Sequence, residues 1–318
     1  MRSVTVFAPA TVANVGSAFD VLGFAVAAPG DTVTVRRIPT PGVTIAEITG
    51  DNGLLSKDSD KNTAGVSVVG LLKHLASRDP NAFGAIGIEI SLRKGLPIGS
   101  GLGSSSASTV AAVLAANELC GSPLSREELL PFAMEGERVA CGAAHADNVA
   151  PALLGGFVLI RSYDPLDVVH LPTPSNAWVT VLSPNLELKT QDARKVLKRS
   201  VSLESAISQW GNVAALVAGI YKNDVALMGR ALEDKIVEPE RAQLIPGYAA
   251  AKRAALQAGA AGCSISGSGP SVFALTESEE SAHRVGAAMR DAFAALDIAS
   301  IPYVSQINAS GAVVTHKE

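Results

Sequence analysis

The stretch Pro97-Ile98-Gly99-Ser100-Gly101-Leu102-Gly103-Ser104-Ser105-Ser106 decides how the rest of the chain is read. Just before it, Ile86, Ile88, Ile90 and Leu92 alternate with other residues, a period of two that predicts a strand. Just after it, residues 107–119 are rich in alanine and end before Gly121, which predicts a long helix. Three glycines at alternate positions permit positive φ and remove side-chain bulk. Successive backbone N–H groups can then face one concavity and bind an anion. The free N–H groups and the dipole of the following helix add to that attraction. The serines bring hydroxyls for phosphate or Mg²⁺. A plain serine-glycine turn is the bland alternative, and the clear strand and helix on either side weigh against it.

Two other phosphate motifs do not fit. No lysine follows these glycines, so the P-loop pattern is absent. Ser104 stands where a dinucleotide fingerprint needs Gly or Ala, and an NAD-dependent oxidoreductase is disfavoured.

Outward from the loop, residues 4–7, 24–27, 32–36 and 43–48 predict strands, with a turn at Pro29-Gly30-Asp31. Residues 62–76 predict a helix. Another begins at Ser125, which forms a capping-box pair with Glu128. The apolar segment 149–160, broken by Pro151, Gly155 and Gly156, predicts a buried turn and a strand. Residues 178–182, 271–275 and 302–307 predict strands, the last of them closing the chain. Helices are predicted over 190–197, 201–220, 225–234, 245–258 and 277–296. Strands and helices mix irregularly, which favours α+β. At roughly 100–200 residues per domain, 318 residues suggest two domains. Asp164-Pro165 is the candidate boundary, giving domains 1–164 and 165–318.

Composition narrows the function. Apolar residues make up 47% and aromatics 4%, so the core must be built from Ala, Val, Leu and Ile. The net charge is −4 and there is no basic run, which disfavours a nucleic-acid partner. No stretch reaches the roughly 18 apolar residues of a membrane helix, and no signal peptide is apparent. Cys120, Cys141 and Cys263 are far apart and odd in number, which points to reduced thiols in the cytoplasm.

Three further segments gather polar residues among small apolar ones. In the segment 9–23, Asn14 and Asp20 suggest either a ligand clamp or a capped turn. In 137–151, Glu137 precedes His145, Asp147 and Asn148, which need partners from a ligand, a magnesium shell or a hydrogen-bonded knot. Ser266-Gly267-Ser268-Gly269-Pro270 offers a second backbone concavity.

Taken together, these segments resemble the GHMP kinase superfamily, and within it the homoserine kinase family. The resemblance spans nearly the whole chain, from Pro9 to Pro270. Its specific pieces are PIGSGLGSSSAS from Pro97, HADNVAPALLGG from His145, and Glu238-Pro239-Glu240-Arg241 followed by Leu244-Ile245-Pro246-Gly247-Tyr248. Val12 departs from the family's usual Ser, and Ser17-Ala18 stands where a second Gly is usual.

The resemblance implies an N-terminal domain like domain 2 of ribosomal protein S5 and a ferredoxin-like C-terminal domain. It implies ATP and Mg²⁺ as cofactors, L-homoserine as substrate, no membrane partner and a homodimer. Pro97, Ile98, Gly99, Ser100, Gly101, Leu102, Gly103, Ser104, Ser105, Ser106 and Ala107 would hold the ATP phosphates. Asn62 would lie near the adenosine, and Gly267, Ser268 and Gly269 would steady the loop. Glu137, with Ser104 or Ser105, matches the metal site. Arg194 and Arg241 match the arginines for the substrate carboxylate, with Thr190 one turn before Arg194. Asp20 and Asn14 match the ammonium site. His145 and Asn148 would flank the substrate, Asn148 nearer the hydroxyl. Asp147 falls where related kinases can carry a catalytic Asp. A mevalonate-type kinase and a non-catalytic nucleotide-binding protein are the alternative readings.

Overall fold

The computed structural model describes residues 1–142 and 145–318. Of the expected site run 137–151, Ala143 and Ala144 lie outside the described residues, as do the side chains of Val139, Ala140 and Cys141. The fold has two layered units, each a mainly antiparallel sheet backed by helices, and is α+β.

The first sheet has seven strands: β1 (Ser3–Ala13), β2 (Leu22–Ile38), β3 (Gly42–Thr49), β4 (Gly87–Arg93), β5 (Phe157–Tyr163), β6 (Leu166–Leu171) and β11 (Val313–Lys317). The main path runs β11-β1-β2-β4-β3, and β5 joins β2 to β6. Among the described residues, only β3 and β4 pair in parallel. Val4, Val6, Val33 and Val35 alternate into the core along β1 and β2. The second sheet runs β10-β7-β9-β8, from β7 (Trp178–Pro184), β8 (Gly262–Ile265), β9 (Val272–Thr276) and β10 (Ser300–Gln306).

Between these strands run α1 (Thr63–Arg78), α2 (Pro80–Phe83), α3 (Ser104–Leu119), α4 (Arg126–Cys141) and α5 (Ala146–Leu154). The second half adds α6 (Thr190–Lys195), α7 (Leu203–Lys222), α8 (Val225–Ala231), α9 (Glu238–Arg241), α10 (Tyr248–Gln257) and α11 (Glu279–Ala294). Helix α3 is buried on every side from Ser106 to Asn117. A helix wrapped all round by protein needs apolar residues on all faces, and small ones where neighbours press close. That is what the alanine run supplies between β1 and β2 on one side and α1, α4 and α5 on the other. The capping box at Ser125 forms as expected, with both reciprocal hydrogen bonds.

Several elements differ from the sequence expectation. The turn at Pro29-Gly30-Asp31 does not reverse the chain, because β2 runs straight through it as one strand. Pro9 and Pro29 flank an irregularity where the β1–β2 register shifts, and prolines are tolerated there because the ladder is already broken. At that gap Val26 bridges to Ile307, which seats the second unit against the first. The expected turn at 149–156 is mostly helix α5, with Pro151 inside it. The carbonyl of Asp147 points at Gly23, where a Cβ would lie 1.7 Å from it. β11, not the strand at 300–306, is the last strand, and its largely exposed edge position erased any alternation. Asp164-Pro165, the expected boundary, is instead the turn of the β5–β6 hairpin, and both strands belong to the first sheet. No helix among the described residues is long and apolar enough to cross a membrane.

Candidate active site

The glycine-serine loop lies at the junction of the two units. Gly99, Gly101 and Gly103 have φ of 69°, 78° and 66°. The carbonyls between them are tied outward. Ser271 N–H donates to the Ser100 carbonyl (3.1 Å), Ser266 Oγ to that of Gly101 (2.8 Å) and Thr11 N–H to that of Leu102 (3.1 Å). With the carbonyls turned away, amides are left for the cavity. Gly103 is the N-cap of α3 and no side chain caps that helix, so its first N–H groups remain available. The helix begins at Ser104, three residues earlier than expected, and Ser104, Ser105 and Ser106 form its first turn.

Behind the loop lies a buried knot that sequence reading missed. Lys94 donates to the Asp31 carboxylate, to the Ser104 carbonyl (2.7 Å) and to Ser108 Oγ (2.9 Å). Asp31 also accepts from the amides of Gly95 and Leu96, at 3.0 and 3.2 Å. Burial lowers the Lys94 pKa, and Asp31 opposes that fall. Every Lys94 proton has a partner, so the knot fixes the end of β4 to the first turn of α3.

A cavity of about 460 Å³ opens over this loop. Asn14, Asn62, Ile98, Gly99, Ser100, Gly101, Gly103, the three serines 104–106, Glu137, His145, Asp147, Asn148, Thr190, Arg194, Arg241, Gly267 and Ser268 line it. Asp20, Pro97, Leu102, Ala107 and Gly269 do not line it. Leu102 and Ala107 are core residues whose side chains anchor the loop from behind. Pro97 offers its carbonyl to Ser100 Oγ. Gly101 lets the Gly269 carbonyl approach, since a Cβ on Gly101 would lie 2.6 Å from it. Lys61, Lys189 and Gln191 also line the cavity.

Glu137 reaches the cavity floor from α4. Gly136 makes this approach feasible, since a Cβ there would lie 2.2 Å from Ser67 Oγ and 2.4 Å from Thr109 Cγ2. Burial pushes the Glu137 pKa up to about 6, against the pull of Ser105, Ser106 and Lys94. Its Oε1 has no hydrogen-bond partner, and neither does Ser106 Oγ. Two buried oxygens left open beside each other suit a hard cation such as Mg²⁺. Ser104, expected at the metal, donates its hydroxyl to the Leu96 carbonyl (3.2 Å).

A second group holds opposite charges in balance. Arg194 Nη2 donates to both oxygens of Asp20, at 2.7 and 2.9 Å, and stands 3.3 Å from His145 Nδ1. Arg241 is 2% exposed and donates to the Gly267 carbonyl (3.0 Å). That same carbonyl accepts from Asn14 Nδ2 (2.9 Å), while Asn14 Oδ1 accepts from the Asp20 amide (2.8 Å). Both guanidinium groups lie over the ring of Phe19, at 5.5 Å for Arg194 and 5.0 Å for Arg241. Phe19 carried no polar signal and was not anticipated. Burial lowers the Arg241 pKa to about 10, and Arg194 adds to that. Asp147 is buried with Oδ1 unpartnered, and burial, reinforced by Asp20, raises its pKa to about 7. Burial lowers the His145 pKa, and Arg194 lowers it further.

Asn148 bridges the two regions. Its Oδ1 accepts from Thr11 Oγ1 (2.7 Å) and would lie 2.9 Å from a Cβ on Gly103. Asp147 faces the other way, with ligand atoms within 4.8 Å of those of Asp20 and His145. Asn62 caps α1 through Ala64 N–H (3.0 Å) and holds the Ser56 carbonyl through Nδ2 (2.8 Å). Thr190 Oγ1 meets Ser268 Oγ at 3.3 Å.

A glycine-serine loop with free helix amides, an open carboxylate beside it and a charged pocket in one cavity fit a small-molecule kinase of the GHMP type. The models for the GHMP kinases N terminal domain and GHMP kinases C terminal match residues 67–156 and 216–295. A homoserine kinase of Chlorobium phaeobacteroides is 51% identical over 99% of this chain and 100% of its own. One from Chlorobaculum tepidum is 53% identical over 92% and 91%. The crystal structure of homoserine kinase from Cytophaga hutchinsonii superposes with a TM-score of 0.94 at 55% identity, covering 99% of this chain and 98% of that one. The chain belongs to the homoserine kinase family of the GHMP kinases.

Proposed function

We propose that this enzyme transfers the γ-phosphoryl group of ATP to the side-chain hydroxyl of L-homoserine, yielding O-phospho-L-homoserine for threonine biosynthesis in the cytoplasm. The observation that carries the reading is the Arg194–Arg241 pair, with Asp20 bound to Arg194 at its edge, in the same cavity as the glycine-serine loop. A zwitterion needs a guanidinium for its carboxylate and a carboxylate for its ammonium. Arg194 and Arg241 would take the carboxylate, and Asp20 with Asn14 the ammonium. Thr190 and His145 border that pocket. The amides and hydroxyls of the loop 97–107 would hold the phosphates, steadied by Gly267, Ser268 and Gly269, with Asn62 at the adenosine.

Glu137, with Ser105 and Ser106 against it, would hold Mg²⁺, and Ser104 stands next in the same turn. The bound ion would neutralise charge on the phosphates. The protein's part is positioning. Asn148 Nδ2, freed because Oδ1 is held by Thr11, can orient the substrate hydroxyl. Asp147 keeps company with the charged pocket rather than the loop, which supports transfer without an obligatory base.

A coupled ADP-release assay with L-homoserine, mevalonate and galactose, with and without Mg²⁺, tests the reading. Mg²⁺-dependent turnover of homoserine above the other two is expected. Preference for mevalonate, or nucleotide binding with no ADP release, would overturn it.

A further inference from the structure

The loop between β1 and β2 is built around unusual backbone angles. Asn14 and Asp20 have φ of 57° and 60°. A left-handed conformation is uncommon at a residue other than glycine and persists where local bonds hold it. Here Asn14 Oδ1 accepts from the Asp20 amide (2.8 Å). The Ala18 amide donates to the Val15 carbonyl and the Val21 amide to the Ala18 carbonyl, both at 3.2 Å. From α7, Gln209 Nε2 holds the Ser17 carbonyl (2.7 Å). This bonding brings two neighbouring side chains to one place. Asp20 bonds Arg194, and the half-buried ring of Phe19 meets both guanidinium groups.

The arginines need a partner of that kind. Arg241 is buried, and its hydrogen bonds go to the carbonyls of Ala193 (3.3 Å) and Gly267 (3.0 Å), both neutral. A buried charge with neutral partners is under-compensated. Arg194 brings a second positive charge to the same ring from another helix. An aromatic ring carries a negative face, which attracts a cation within about 6 Å of its centroid. Both guanidinium groups fall inside that reach, at 5.0 and 5.5 Å. A leucine would fill similar space and offer no such face. Held on one ring, the two groups stay together against their repulsion. Arg194 Nε is buried without a partner, so a donor is left for a ligand.

We propose that Phe19 is a positioning residue for substrate recognition, its ring holding Arg194 and Arg241 side by side so that both can meet one carboxylate. This rests on the assignment of these arginines to the carboxylate of homoserine. Adjacent residues then divide the zwitterion between them. Phe19 sets the cations for the carboxylate, and Asp20 answers the ammonium. The ring acts at the amino acid end of the cavity, so the homoserine KM should move and the ATP KM should not.

Steady-state kinetics on the full chain, with phenylalanines bearing one, two or three ring fluorines in place of Phe19, gives the test. Each fluorine drains the negative face while nearly keeping the shape. The homoserine KM should rise stepwise, by about tenfold over the series, with kcat changed less than about threefold and the ATP KM constant. Phe19→Leu should raise the homoserine KM by about 10–100-fold, and Phe19→Tyr, which keeps the face, should stay within about threefold of the wild type. A homoserine KM indifferent to fluorination, a Tyr variant as poor as the Leu variant, or homoserine and ATP KM values rising together would overturn the proposal. Should Phe19→Leu fail to fold, the nearly isosteric fluorinated series carries the decision alone. Arg241→Lys, measured alongside, separates the proposal from its premise. A raised homoserine KM in Arg241→Lys with a flat fluorine series removes the role of Phe19 and leaves the carboxylate assignment standing. No change in either removes both.

Discussion

Asp147→Asn should make the protein more stable and a poorer catalyst, and the gain in stability should depend on pH. Asp147 is buried, its Oδ1 has no partner, and its pKa is raised by burial and by Asp20, with Arg194 pulling the other way. In the unfolded chain the group loses its proton near 3.8, whereas in the fold it keeps it up to about 7. Between those values the native state binds more protons than the unfolded state, so stability falls as pH rises. The penalty is absent below pH 4 and complete above pH 7. The gap between 3.8 and about 7 corresponds to on the order of 4 kcal/mol. Asparagine has the shape of the neutral acid and carries no charge at any pH. The variant should therefore gain about 2–4 kcal/mol over the wild type at pH 8 and little at pH 4.5. Urea titrations at both values read this directly through the midpoint, with the slope unchanged. An equal effect at both pH values, or a loss at pH 8, would refute the reasoning. The same variant settles the chemistry. Turnover should fall about tenfold through lost electrostatic complementarity, with activity remaining. Complete loss of turnover with both substrate affinities intact would make Asp147 an obligatory base.

Glu137→Gln should lower Mg²⁺-dependent turnover by about a thousandfold while nucleotide still binds, read by steady-state kinetics and calorimetry. Its carboxyl pKa is also raised, from 4.5 to about 6, so the same variant should gain stability above pH 6 by on the order of 2 kcal/mol and nothing below pH 4. Arg241→Lys keeps the charge but loses the fork that spans the Gly267 carbonyl and the Phe19 face, so the homoserine KM should rise about 10–100-fold with a smaller change in kcat. Gly103→Ala would place a methyl 2.1 Å from Thr11 Oγ1 at φ +66°, so turnover should collapse and chemical denaturation should show a loss of at least about 1–2 kcal/mol.

What the sequence made legible follows from where the signal lies. The placement of the glycine-serine loop between a strand and a helix was readable because its glycines, its alternating strand and its alanine helix are contiguous. Glu137, Arg194 and Arg241 were readable only through whole motifs, since each lies on a different helix and nothing in local spacing joins them. Phe19 and Lys94 were missed for opposite reasons. Phe19 reads as an ordinary core aromatic, and its role appears only when two guanidinium groups from α6 and α9 arrive over its ring. Lys94 reads as the polar end of a strand, yet it is 7% exposed because Asp31, 63 residues earlier, pairs with it. β11 and the hairpin at Asp164-Pro165 were lost because pairing partners hundreds of residues away, or an edge position, set those strands.

The loop without a following lysine is explained by how the two sheets meet. A P-loop supplies a cation that reaches around the phosphates. Here Lys94 borders the cavity from behind the loop with all its protons committed, so it shapes the loop's backbone. The loop's amides add to the charge of Lys61 and Lys189 at the cavity wall, and amides point inward only if their carbonyls are held outward. Those carbonyls are held by Thr11 from the first sheet and by Ser266 and Ser271 from the second. The loop's conformation therefore depends on contacts from both units. The same Ser266–Pro270 segment carries Gly267, whose carbonyl organises Asn14 and Arg241. One short turn thus joins the glycine-serine loop at one end of the cavity to Asn14 and Arg241 at the other.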